Sequence, residues 1–247
     1  MFKQSLTCLL LLTAQSIVQC QVPLNNWMLE LPVKADTLDS NNTKVKTIFN
    51  QELANYTDEF FYSTADGLVF NTPVFPPNGQ PQSGTPFVST FLRESNQDNE
   101  FVTWDSTIGT HSLTATLAVN GFPGTTNAKM IAAEIKLDSS ICVGCTSVAL
   151  FAYAKSNPIA YSLAALFDNL RIIVPVDNNY QLGTKFDIEI LVVKGSMYFY
   201  YNGELKTKTA IPTTEKAVYF KAGAFSQNQV SYFHPATGKK YKKKKLK

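Results

Sequence analysis

Phe186-Asp187-Ile188-Glu189-Ile190-Leu191-Val192-Val193-Lys194-Gly195-Ser196-Met197-Tyr198-Phe199-Tyr200-Tyr201-Asn202-Gly203 carries two strand-like runs on either side of a two-residue break. Alternation with a period of two marks a strand with one face buried, so 188–193 and 197–201 read as the arms of a hairpin turning at Lys194-Gly195. The same pattern recurs outward in both directions. Runs rich in Val, Ile, Phe, Tyr and Thr fall at 67–71, 87–93, 101–103, 112–119, 132–137, 148–154, 161–167, 170–175 and 218–224. Between them, Pro76-Pro77-Asn78-Gly79, Asn120-Gly121-Phe122-Pro123-Gly124, Asp177-Asn178-Asn179 and Asn202-Gly203 read as turns. Only 36–55 looks helical or irregular. So many strands without intervening helices predict an all-β fold, a jelly-roll sandwich of two antiparallel sheets, one of which bends to give a concave groove.

Composition agrees with one packed core. Of the 247 residues 45% are hydrophobic and 17% charged, outside the disordered range. Residues 1–20 read as a secretory signal peptide, with Lys3 ahead of an apolar run through Leu12. A membrane anchor is disfavoured because Gln15, Ser16 and Gln19 interrupt the stretch. Residues 21–235 then form one domain, and 236–247 a lysine-rich tail. Removing the seven positive charges of that tail turns the net +3 into −4. Such a block suits a solvated end or adhesion to a polyanion, and nothing interleaves aromatics with a structured basic face as a nucleic-acid binder would.

Removing the signal takes away Cys8 and Cys20 and leaves Cys142 and Cys145, which read as a local disulfide in a secreted chain; with only His111 and His234 as imidazoles and no second Cys pair in the mature chain, a zinc site is disfavoured. Asn41-Asn42-Thr43 and Asn55-Tyr56-Thr57 are glycosylation sequons.

Several segments resemble, in order, the family 7 polysaccharide lyases that cleave alginate. Trp27-Met28-Leu29-Glu30-Leu31-Pro32 is similar to the family's opening strand, and Ser89-Thr90-Phe91-Leu92-Arg93-Glu94 to its Arg-Ser-Glu-Leu-Arg-Glu strand. Ala133-Glu134-Ile135-Lys136 stands where the family has Gln-Ile-His. The run from Tyr219 to Gln227, Tyr-Phe-Lys-Ala-Gly-Ala-Phe-Ser-Gln, is similar to its Tyr-Phe-Lys-Ala-Gly-x-Tyr-x-Gln. The resemblance covers roughly 25–230 and implies a concanavalin A-like jelly roll whose groove binds an acidic polysaccharide.

It also implies β-elimination, in which cations neutralise a uronate carboxylate, a base takes the C5 proton and an acid protonates the leaving oxygen. Family members use an Arg and a Gln at the carboxylate and a His and a Tyr for the proton transfers. Here Ser89, Glu134, Lys136 and Phe225 stand at the first Arg, the Gln, the His and the second Tyr. The candidates that remain are Lys136 as base and Tyr219 as acid, with Arg93, Glu134, Lys221 and Gln227 binding substrate. No metal or organic cofactor is implied, since side chains can run the elimination. Two other readings stand beside this one. The groove could hold a glycan without cutting it, or Glu134 could be the acid of a glycoside hydrolase.

Overall fold

The computed structural model describes residues 23–34, 45–73, 88–122, 129–138, 146–156, 159–167, 172–211 and 217–226. The chain begins with strands β1 (Trp27–Lys34) and β2 (Val45–Ile48), one helical turn α1 (Asn50–Leu53), and the short ribbon β3 (Phe61–Thr64) and β4 (Gly67–Phe70). It continues through β5 (Ser89–Glu94), β6 (Thr110–Leu117), β7 (Lys129–Leu137), β8 (Thr146–Ser156), β9 (Ile159–Phe167) and β10 (Ile172–Tyr180). It ends with β11 (Phe186–Val193), β12 (Ser196–Tyr201), β13 (Glu204–Ala210) and β14 (Val218–Ser226). An eight-stranded antiparallel sheet runs β10-β9-β8-β7-β14-β5-β1-β2, and a four-stranded sheet β13-β12-β11-β6 packs on it. This is the antiparallel jelly-roll sandwich that the strand pattern predicts.

The opening hairpin is β11–β12. Val193 pairs with Ser196 across Lys194 (φ 46°) and Gly195 (φ 80°), the two positive φ values of a type I′ turn. Asn202 (φ 49°) and Gly203 (φ 77°) make a second such turn into β13, a strand whose polar sequence hid it. Inward, Ile188, Ile190, Val192, Met197 and Phe199 are all buried and share one core with Ile135, Leu150, Val218 and Phe220 of the large sheet. Each such side chain contributes about 1.5–3 kcal/mol by leaving water, so a one-residue slip that swapped them for Asp187, Glu189, Tyr198 and Tyr200 is strongly disfavoured. A second cluster of Leu29, Leu31, Ile48, Leu53, Phe60, Phe61 and Leu92 closes the β1 end of the large sheet.

Three expectations need correction. Residues 101–103 form no strand: the side chain of Asn96 accepts hydrogen bonds from the Asp98 and Glu100 amides, Asn99 takes φ 63°, and only a Ser95–Phe101 bridge follows. Asp177-Asn178-Asn179 is the irregular end of β10 rather than a turn; β10 lies at the sheet edge, where Pro175 and shifted register cost little pairing. The described part of 36–55 holds β2 as well as the helical turn. Among the described residues no helix is long and apolar enough to cross a membrane.

Tyr180 joins the two layers at this end. Its buried hydroxyl accepts from the Val119 amide at 2.8 Å and donates to the Thr184 carbonyl at 2.7 Å. Tyr180→Phe is expected to leave the Val119 amide unpaired and cost about 1–3 kcal/mol, read as a lower urea midpoint at unchanged m; an unchanged midpoint would show that water replaces the hydroxyl.

Candidate active site

The central position of β14 builds the site. Lys221 is the cross-strand partner of Arg93 on β5 and of Glu134 on β7, and Tyr219 is the partner of Lys136. One rung further, Gly223 pairs with Phe91, whose partner on β1 is Glu30. Directly opposed residues of an antiparallel ladder project from the same face. The alternate residues Leu92, Ile135 and Phe220 go to the cores, so the face turned away from the small sheet collects the charged set. It holds three cations, Arg93, Lys136 and Lys221, and three carboxylates, Glu30, Glu134 and Asp138.

These charges are paired under strong burial. Lys221 is 7% exposed; its Nζ donates to Glu30 Oε2 at 2.5 Å and lies 4.7 Å from the Phe91 ring centroid. Burial would raise the Glu30 pKa, but Lys221, then Arg93 and Lys136, outweigh it and hold the carboxyl below its ordinary range. Burial likewise opposes the charge on Lys221, and Glu30 overcomes it, so the ammonium holds its proton above the ordinary lysine value.

Arg93 is held more loosely. Its guanidinium lies 3.8 Å from Glu30 Oε1 and 4.0 Å from Asp138 Oδ2, beyond hydrogen-bond length, and its buried Nε has no hydrogen-bond partner. Two rings hold it instead: its Cζ is 3.8 Å from the Phe101 centroid and 4.0 Å from that of Tyr219.

Lys136 Nζ sits 3.9 Å from Oε1 of the fully buried Glu134. Burial lowers the Lys136 pKa; Glu134 opposes this, while Lys221 and Arg93 add to it. Across the ladder, burial raises the Tyr219 pKa, against the pull of Lys221 and Arg93. The pair thus combines a lysine that gives up its proton more readily than usual with a phenol that keeps its own.

Arg93, Glu134, Lys136, Tyr219 and Lys221 are therefore brought together on one face. Gln227, Cys142 and Cys145 lie outside the described residues. Phe225 is buried against Phe91, edge to face at 5.5 Å, on the rung of Ser89. The sequence reading missed Glu30, Asp138 and Phe101. Glu30 had a signal, a carboxylate in the middle of the otherwise apolar run 27–33; Phe101 had none, because it reaches Arg93 from a loop.

Other polar and aromatic side chains of the sheets fall elsewhere. Glu94 projects opposite to Arg93 and accepts from Trp104 Nε1 at 2.9 Å and the Phe220 amide at 2.7 Å, a structural tie. Trp104 is core, stacked on His111 at 4.1 Å, and His111 belongs to β6 of the small sheet. Tyr200 lines a shallow depression on that sheet's outer side with Thr114, Thr116, Asp187 and Glu189. Among the described residues no three His, Cys, Asp or Glu side chains converge as a metal site requires.

The fold is thus a jelly-roll β-sandwich that carries a charged, partly aromatic row across the middle of its large sheet. The alginate lyase family model matches residues 22–246, and the chain belongs to that family. The alginate lyase from Corynebacterium sp. is 26% identical and superposes with a TM-score of 0.69, covering 88% of this chain and 89% of that one. AlgAT5, an alginate lyase of polysaccharide lyase family 7, is 25% identical with a TM-score of 0.65, covering 83% and 84%. An alginate lyase from Pseudomonas aeruginosa shares the fold at 24% identity and a TM-score of 0.69, covering 87% and 93%. The search of curated proteins found no match.

Proposed function

We propose that the chain is a secreted polysaccharide lyase that cleaves alginate or a related uronate polymer by β-elimination, with Lys136 as base and Tyr219 as acid. Family membership supports the reaction class, and the signal-like residues 1–20 support secretion. The observation that carries the assignment of roles is the direct pairing of Lys136 with Tyr219 on the face that holds Arg93. In this reading neutral Lys136 takes the C5 proton and the released pair forms the C4–C5 double bond. The C4–O bond breaks, and the leaving oxygen takes the Tyr219 phenolic proton. Proton return from the Lys136 ammonium to the Tyr219 phenolate resets the pair.

The test is ultraviolet detection of unsaturated uronate when the protein is incubated with alginate, polymannuronate or polyguluronate. Lys136→Ala and Tyr219→Phe are each expected to lower the rate about 10²–10⁴-fold. The pH profile should rise as Lys136 deprotonates below the ordinary lysine value, and fall only when Tyr219 ionises above the ordinary tyrosine value. Full activity in either variant would remove that residue from the chemistry.

One observation favours the non-catalytic reading: each of the three cations already has a carboxylate of the protein within 4.0 Å. No unsaturated product, together with retention on an alginate gel, would establish it. A hydrolase using Glu134 is the poorest fit, because that carboxylate has no exposed surface from which to protonate a glycosidic oxygen.

A further inference from the structure

Removing the C5 proton from a free uronate builds a second negative charge next to the carboxylate, so the reaction needs cations that are free to meet it. On this face they are engaged. Glu30 takes Lys221 at 2.5 Å and approaches Arg93 at 3.8 Å, Asp138 stands 4.0 Å from Arg93, and Glu134 stands 3.9 Å from Lys136. Three positive and three negative side chains leave the row without net charge, and Glu30 and Glu134 lie on either side of Lys221. A free carboxylate entering here must displace a buried carboxylate of the protein or sit against one, and both are costly at low dielectric.

A uronate whose carboxyl is already neutralised meets neither obstacle. Its ester carbonyl acidifies the C5 proton without help, and the enolate oxygen formed on proton removal needs one donor. Arg93 supplies that donor, because its terminal Nη1 and Nη2 lie 3.8 and 4.0 Å from the nearest carboxylates, beyond hydrogen-bond length, and the guanidinium is held by the Phe101 and Tyr219 rings. We propose that the cleavage subsite selects a uronate residue whose C6 carboxyl is uncharged, such as an ester, and that Glu30 is the residue that sets this preference. This rests on reading the face as the lyase groove. The electron balance is that of the elimination above, with the transient charge on the ester oxygen in place of a dianion, and no co-reactant is required.

The experiment compares mannuronate trisaccharide with its C6 methyl ester, by calorimetric affinity and by formation of unsaturated product. The full-length wild-type chain is expected to favour the ester about tenfold, and Glu30→Gln to narrow the gap to about threefold or less by releasing Lys221 and Arg93. The wild-type arm stands even if the variant does not fold. Preference for the free acid overturns the inference and leaves the lyase reading intact. Tighter binding of the ester with no product from either sugar supports the selectivity and removes the lyase reading. Equal preference in wild type and a folded Glu30→Gln chain removes Glu30 from specificity, and failure to bind either sugar overturns both readings.

Discussion

Gly223→Ala is expected to be among the most destabilising single-methyl additions in the chain. Gly223 has φ 150°, where L side chains are rarely found, and a Cβ there would lie 2.3 Å from the Thr90 carbonyl oxygen and 2.9 Å from Phe91 Cα. Those atoms are backbone of β5, so no rotamer change relieves the contact; β5 and β14 must separate in the middle of the large sheet. Backbone strain and overpacking of about 1–3 kcal/mol each give a loss of roughly 2–6 kcal/mol, seen as a fall in Tm of about 10 °C or a chain that does not fold. Gly203→Ala is the control. Its φ of 77° is also left-handed, but nothing lies within 4 Å of the added methyl, so only about 1–2 kcal/mol of strain is expected. Equal losses in thermal unfolding would mean that φ alone, and not the approach of β5, fixes glycine at 223.

The second large effect concerns Glu30. Glu30→Ala leaves the Lys221 ammonium buried without its partner and is expected to cost about 3–5 kcal/mol, whereas Glu30→Met with Lys221→Met should be within about 2 kcal/mol of the parent. The reason is desolvation: removing one ion strands the other, while removing both removes the penalty. The sign with pH follows from the two directions. Because the Glu30 pKa is depressed in the fold, its contribution is present above the ordinary carboxyl value and is lost as pH falls through the depressed one. Because the Lys221 pKa is raised, the contribution is present below the ordinary lysine value and is lost as pH rises through the raised one. The double variant should therefore show a flatter acid limb of stability than wild type in urea melts from neutral pH downward. A Glu30→Ala chain as stable as the parent would show that water reaches Lys221.

Much of this was legible before any coordinates. Alternation in 186–201 and the Lys194-Gly195 and Asn202-Gly203 pairs determine a hairpin and its turn type, because side chains alternate strictly along a strand and left-handed backbone is accessible to few residues. The same rule correctly places Arg93 with Phe91, Glu134 with Lys136 and Tyr219 with Lys221, each on one face. What alternation cannot convey is which strands become neighbours. Only the order β7-β14-β5-β1 sets Lys136 opposite Tyr219 and brings Glu30 to Lys221 across 191 residues of sequence. The pairing partners come from distant parts of the chain, and their choice depends on closing two cores at once, which no local pattern records. The charge balance of the site follows from that choice: the sequence by itself determined the all-β sandwich class, the residues that share a strand face and the family, and tertiary structure decided that each cation there meets a carboxylate of the protein first.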